Sequence, residues 1–169
     1  MLKKILMLVL FVAPFTLSAQ KFAHFDLQGI VEAMPDYKTA QTELEALGKQ
    51  YQTSLEDMQK EYETKRDKYS SQINEKTPQT IIEQYSKELG EMQQKIEEAN
   101  QNYQKDFSDK RTAKMQPILT KILDAVNTVS KEGSYVYIID TQSAQSNNIF
   151  INTALSDDVT TKIKSKLGI

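Results

Sequence analysis

Cysteine and tryptophan are both absent from the 169-residue chain. Without cysteine there is no disulfide, thiolate metal centre, cysteine nucleophile or acyl-cysteine anchor, so stability rests on packing alone. The only histidine, His24, has no second imidazole to complete a usual zinc site and reads as a strand residue with a satisfied ring. Five glycines and four prolines exclude collagen-like and Pro/Gly low-complexity chains. An excess of one charge is lacking too. The 21 Lys plus Arg against 23 Asp plus Glu give a net charge of −2, no electrostatic footprint for a nucleic-acid partner. Neither a G-x-x-x-x-G-K phosphate loop nor a nucleophile elbow occurs. The carboxylate pairs Glu97-Glu98 and Asp157-Asp158 fall in solvated helix or cap contexts. No enzyme, cofactor or metal is expected.

The first residues are of a different character from the rest. Lys3 and Lys4 precede an apolar run from Ile5 to Leu17, and Ser18-Ala19 offers a small-residue cleavage site before Gln20. That is the pattern of an export signal, residues 1–19, and it is too short for a spanning helix of about 20 apolar residues. Cleavage removes two lysines and leaves 19 basic against 23 acidic side chains, a mature charge of −4. The expected location is outside the cytoplasm.

Phe22 to Asp26 reads as a strand, Gln28 to Met34 as a short helix or turn, and Met34-Pro35 as a break. From Lys38 to Lys76 there is no proline, and Ala40, Leu44, Leu47, Tyr51, Leu55, Met58, Tyr62, Tyr69 and Ile73 recur mostly at steps of 3 and 4. The spacing predicts one amphipathic helix of roughly 58 Å, too long to lie inside a small domain. Thr77-Pro78 interrupts it, and Ile82, Tyr85, Leu89, Met92, Ile96, Ala99, Tyr103 and Phe107 begin a second helix that must return antiparallel along the first. The shared seam is poor in Leu and Ile, and Gly48 and Gly90 each cost about 1 kcal/mol relative to Ala in a helix. The arms should be soft.

Beyond Pro117, where a kink or restart is expected, Ile118, Leu119, Ile122, Leu123, Val126 and Val129 form a richer aliphatic face. Gly133 should stop the helix. Tyr135 to Asp140 and Ile149 to Ile151 read as strands separated by a polar loop, Thr141 to Asn147, and Leu155 to Asp158 reads as the cap of a last helix, Val159 to Leu167. The expected fold is α+β and mostly helical: a helical hairpin arm, residues 38–116 with its turn near 77–78, on a β-containing base made from residues 20–37 and 117–169. A base of roughly 60 residues is marginal alone, so Ile122, Val126, Val129, Val136 and Ile138 are expected at an interface of a homo-oligomer with parallel arms.

The order of these segments resembles the Skp/OmpH periplasmic chaperones. Phe22-Ala23-His24-Phe25-Asp26-Leu27-Gln28-Gly29-Ile30 stands where that family has its first strand and turn. Met34-Pro35-Asp36-Tyr37-Lys38 is similar to the family's Met-Pro-Glu-Tyr-Lys, Gln116-Pro117-Ile118 marks the arm's return, and Gly133 to Asp140 is similar to the Gly-Tyr-Asp-x-Val-x-Asp strand. The likeness covers nearly the whole mature chain. It implies a periplasmic trimer whose base holds three helical tentacles around a cavity for unfolded outer-membrane proteins.

Such clients alternate apolar and polar residues and aggregate while unfolded. Many weak contacts from adaptable side chains would shelter them without nucleotide, and the candidate contact residues are Leu47, Tyr51, Met58, Tyr62, Tyr69, Tyr85, Met92 and Tyr103. One feature departs from the family. Its best-known members look basic at the arm tips, whereas residues 60–76 here carry five basic and four acidic side chains. No lipopolysaccharide site is therefore carried over, and any transient membrane-surface contact falls to local patches within a Debye length of about 8 Å. The competing reading is a structural spacer or docking subunit of an envelope assembly, which would bind one fixed partner.

Overall fold

Three short parallel strands tie the two ends of the chain together. The computed structural model describes residues 20–169, and the expected export signal, residues 1–19, lies outside the described residues. Strand β1 (Lys21–Phe25) is central, flanked by β2 (Tyr135–Asp140) and β3 (Ser156–Asp158), both parallel to it. Parallel neighbours cannot be joined by a tight turn. Here the connection from β1 to β2 is helix α1 (Leu27–Ala33) followed by the arm, α2 (Pro35–Gln72) and α3 (Gln79–Gly133). Helix α4 (Thr141–Ser146) leads from β2 towards β3, and α5 (Thr160–Leu167) ends the fold.

Local chemistry fixes each start. Asp26 caps α1, its Oδ1 accepting from the Gly29 N–H at 2.9 Å. A Cβ on Gly29 would lie 2.2 Å from the same carboxylate, so this cap requires glycine at its third residue. Pro35 occupies the first turn of α2, where its missing N–H has no helical partner to lose. Asp140 works twice: Oδ2 accepts from the Ser143 N–H at 2.8 Å to cap α4, and Oδ1 accepts from the Leu27 N–H at 3.1 Å. One carboxylate thus joins the end of β2 to the starts of two helices.

The core lies on one face of the sheet. Ala23 and Phe25 of β1 meet Ile30 and Val31 of α1, Ile118, Ile122, Ala125 and Val129 of α3, and Val159 and Ile163 beside and within α5. The α3 contributors follow at steps of 3 and 4, a single helix face. Ile30, Ile122, Val159 and Ile163 are fully enclosed. Truncating a residue so placed to alanine costs about 2–5 kcal/mol.

Several expectations are corrected. Helix α3 runs through Pro117 without restarting, held by Met115 and Ile118 packed on the base either side of it. The segment Thr141–Ser146 is a helix because Asp140 supplies its cap. Ile149 to Ile151 form no strand within the chain: the free edge of β1 is taken by Ser156–Asp158, where the sequence suggests a helix cap. Helix α2 ends at Gln72, before Lys76. The left-handed residue that ends α3 is Ser134 (φ 55°), while Gly133 is needed for room, since a Cβ there would sit 2.1 Å from the Tyr135 ring. Ile122 and Val129, expected at an interface, lie inside the chain's own core because α1 and α5 cover that face of α3. Val126 and Ile138 are half-buried beside the core, and Val136 is exposed.

Candidate functional site

Between Ala40 of α2 and Met115 of α3 the arm contributes nothing to the core of the base. At about 1.5 Å per residue the 38 residues of α2 extend for roughly 57 Å. Helix α3 returns along it and continues beneath the base. Near the root, Lys114 pairs with Glu43 and Lys121 with Asp36, tying the two helices together.

Two tyrosine pairs set the seam. Tyr51 stacks on Tyr103 with ring centroids 4.3 Å apart, and Tyr69 on Tyr85 at 3.8 Å, both nearly parallel. Their hydroxyls are committed as well. Tyr51 donates to Asp106, and Tyr103 shares a hydrogen bond with Ser54 at 2.9 Å. Tyr69 donates to Glu88, and Tyr85 donates to Gln72 Oε1 at 3.0 Å. Lys65 Nζ completes the outer cluster, 2.9 Å from Glu88 and over the Tyr69 ring. The hydrogen bond from Tyr69, then those from Lys65 and Gln84, pull the Glu88 carboxyl down to about 2. The hydrogen bond to Asp106 pushes the Tyr51 phenol up to about 12, and the same bond lowers Asp106.

Of the residues expected to meet clients, Tyr51, Tyr69, Tyr85 and Tyr103 are therefore turned onto one another across the seam. Tyr69 is buried. Leu47, Met58, Tyr62 and Met92 are half-buried along the arm, presenting part of each side chain outward.

Sequence periodicity missed the concave surface at the arm's root. A cleft of about 810 Å³ runs between α1, α2 and α3 over Val31, Leu44, Gly48, Phe107, Met115 and Leu119. It shares Gly48, Gln52 and Phe107 with a shallower groove of about 510 Å³ that continues outward over Tyr51, Leu55 and Tyr103. Gly48 lies at the junction, where a Cβ would stand in ordinary contact with Phe107 Cε2 at 3.6 Å. The one local signal in the sequence is that glycine in a helix interior, where a packing reason competes with softness.

The second surface is the outer face of the sheet. Phe22 stacks on Tyr137, and Ile149, Phe150 and Leu155 gather beside them, with Phe150 95% exposed and Leu155 77%. Parallel sheets are ordinarily covered on both faces. Here helices cover only one.

His24 is buried in β1 with Nδ1 2.9 Å from Ser156 Oγ, a satisfied strand residue. Among the described residues no group of three or more potential metal ligands occurs, and no helix is long and apolar enough to cross a membrane.

A long antiparallel helical hairpin on a small parallel-sheet base defines the class of protein. The chain belongs to the OmpH-like family of outer membrane proteins, whose profile matches residues 21–167. Its fold is shared with a crystal structure from Caulobacter crescentus CB15, described as a proposed outer membrane chaperone (OmpH-like), with a TM-score of 0.69 at 14% identity, covering 88% of this chain and 83% of that one. A search of curated proteins finds no match.

Proposed function

We propose that the chain is a periplasmic, ATP-independent holdase chaperone: a homotrimer whose arms enclose unfolded outer-membrane β-barrel proteins, keep them from aggregating and release them for membrane insertion. Family membership and the fold shared with the Caulobacter protein support the chaperone reading. The observation that carries it is the arm itself, whose helix α2 alone is about 57 Å long and which, outward of Ala40 and Met115, bears half-buried apolar side chains and plays no part in the core of the base. The lack of a phosphate-binding loop supports release without nucleotide. The uncovered apolar sheet face supports self-association, because exposed Phe150, Leu155 and Tyr137 would be enclosed by other copies. The half-buried Val126 and Ile138 and the exposed Val136 belong to that proposed interface.

The tyrosine pairs favour a second reading, a stiff spacer docking one partner in an envelope assembly. Capture from envelope extract separates the two. A holdase brings down many β-barrel precursors, whereas a spacer brings down one stoichiometric partner.

A further inference from the structure

The hairpin has no cysteine to bridge its helices, and the chain has no tryptophan to lose an electron ahead of tyrosine. Tyrosine is then the side chain that one-electron oxidation can turn into a covalent bridge. Tyr69 of α2 and Tyr85 of α3 are placed for that reaction. Their ring centroids are 3.8 Å apart and the planes lie within 5° of parallel, so the ring carbons beside each hydroxyl, where a tyrosyl radical couples, face the other ring. The hydroxyls run in opposite directions across the seam, Tyr69 donating to Glu88 of α3 and Tyr85 to Gln72 Oε1 of α2 at 3.0 Å. Tyr51 and Tyr103 stack in the same way at 4.3 Å, and among the described residues no other two tyrosines do.

Glu88 supplies what the oxidation of a phenol needs. A phenol that has lost an electron is a far stronger acid than any carboxylic acid, so its proton leaves with the electron. Glu88 already accepts that hydrogen bond, and its carboxylate is held by Lys65 at 2.9 Å and Gln84 at 3.1 Å. Because proton and electron leave together, no positive charge builds up under Lys65, whose Nζ lies 5.7 Å from the centre of the Tyr69 ring.

We propose that Tyr69 and Tyr85 form a site of oxidative modification, at which a carbon–carbon bond between the rings staples the hairpin and Glu88 receives the Tyr69 proton. Each ring gives up one electron and its hydroxyl proton, that of Tyr69 to Glu88 and that of the half-buried Tyr85 to solvent. The two neutral radicals join through ring carbons beside the hydroxyls, and the hydrogens on those carbons pass to the oxygens, restoring both phenols. The oxidant is a peroxide acting through haem or another one-electron carrier: one hydrogen peroxide takes up the two electrons and two protons and leaves as two waters. Coupling ordinarily waits for two radicals to meet, whereas here the second radical forms in contact with the first. The bond serves a hairpin without cysteine as a disulfide would, and the site stands whether or not the protein is a holdase.

The test treats the full mature protein with hydrogen peroxide and a small haem peptide. Dityrosine fluorescence should appear while the chain keeps its single-chain mass on a denaturing gel, with a yield independent of protein concentration. After trypsin, mass spectrometry should find fragments 69–76 and 77–87 joined, lighter by two hydrogens than their sum. Tyr69→Phe and Tyr85→Phe each keep a ring in the stack and should each abolish the joined fragments. Glu88→Gln should slow their formation about tenfold at neutral pH, a modest share of what a positioned proton acceptor contributes. The rate should recover as pH approaches about 10, where the phenol gives up its proton unaided; a merely structural role for Glu88 would not produce that recovery. Absence of the joined fragments, bonds formed only between chains or only through the unpaired Tyr62, or sulfoxides on Met58 and Met92 with no tyrosine bond would overturn the site. An unchanged rate in Glu88→Gln would overturn its part as proton acceptor.

Discussion

Tyr69 and Tyr85 stack with ring centroids 3.8 Å apart, and the two residues stand at equal distances along the chain from Thr77. Tyr51 and Tyr103 are placed symmetrically about the same residue and stack as well. A one-residue slip of the hairpin would break both pairs together and strand the carboxylates of Glu88 and Asp106 without their phenols. The seam that lacks Leu and Ile thus obtains its register from aromatic pairs with committed hydroxyls. Stacked aromatic pairs contribute about 0.5–1.5 kcal/mol beyond their buried area.

A double-mutant cycle on Tyr69→Ala and Tyr85→Ala should therefore show a coupling of about 1 kcal/mol. Hydrogen exchange should lose protection in the outer arm and keep it in the base, where Ile122 and Ile163 are untouched. Additive single effects would show that the rings act independently.

Acid should loosen the same cluster. The folded-state Glu88 carboxyl is depressed from 4.5 to about 2, so the stability it lends is fully present above about pH 4.5 and is lost as pH falls through about 2. Helicity of the arm followed by circular dichroism should decline across that window, and Glu88→Gln should remove part of the decline. Alkali gives the opposite case. The Tyr51 phenol is raised from 10.0 to about 12, so its contribution is complete below pH 10 and vanishes as pH rises through about 12, which the ultraviolet absorbance of tyrosinate will report.

Two glycines in α3 should respond with opposite signs. A Cβ on Gly90 meets nothing within 4 Å, so Gly90→Ala should stabilise the arm by about 1 kcal/mol. A Cβ on Gly133 would overlap the ring of the buried Tyr135, whose hydroxyl donates to Asp157 Oδ2 at 2.7 Å. Gly133→Ala should lower the melting temperature by displacing that ring. Equal effects of the two substitutions would refute the packing role of Gly133.

The hairpin was legible because its signals are local and repeated: apolar steps of 3 and 4, a proline-free run, and one break at Thr77-Pro78. The base was harder to read because its elements depend on distant partners. Whether Ser156–Asp158 or Ile149–Ile151 lies beside β1 is decided by which segment reaches the strand edge after α4, a helix that exists through Asp140. Ile122 and Val129 look like surplus apolar surface until α1 and α5 are seen to cover them. The tyrosines were found by periodicity, yet spacing along one helix says nothing of the residue they face on the other.

Assembly should depend on the sheet face that helices leave bare. Light scattering on the mature protein should give about three times the chain mass, a closed symmetric oligomer. Phe150→Asp should reduce it to the monomer without unfolding the chain, because Phe150 is 95% exposed in a single copy. A folded wild-type monomer at micromolar concentration would refute the trimer.

The central claim is that the arms shelter the client. Leu47 and Phe107 stand at equal distances from Thr77, so a short loop joining them removes the outer hairpin in register while Ile30, Ile122, Val159 and Ile163 keep the base folded. The decisive measurement is light scattering from an unfolded β-barrel protein diluted out of urea, without ATP, in the presence of the wild type or of this shortened variant. The account predicts that the wild type suppresses scattering and leaves the barrel able to fold when lipid is added, and that the shortened variant keeps its oligomeric mass but loses the protection. Equal protection by the shortened variant would contradict it.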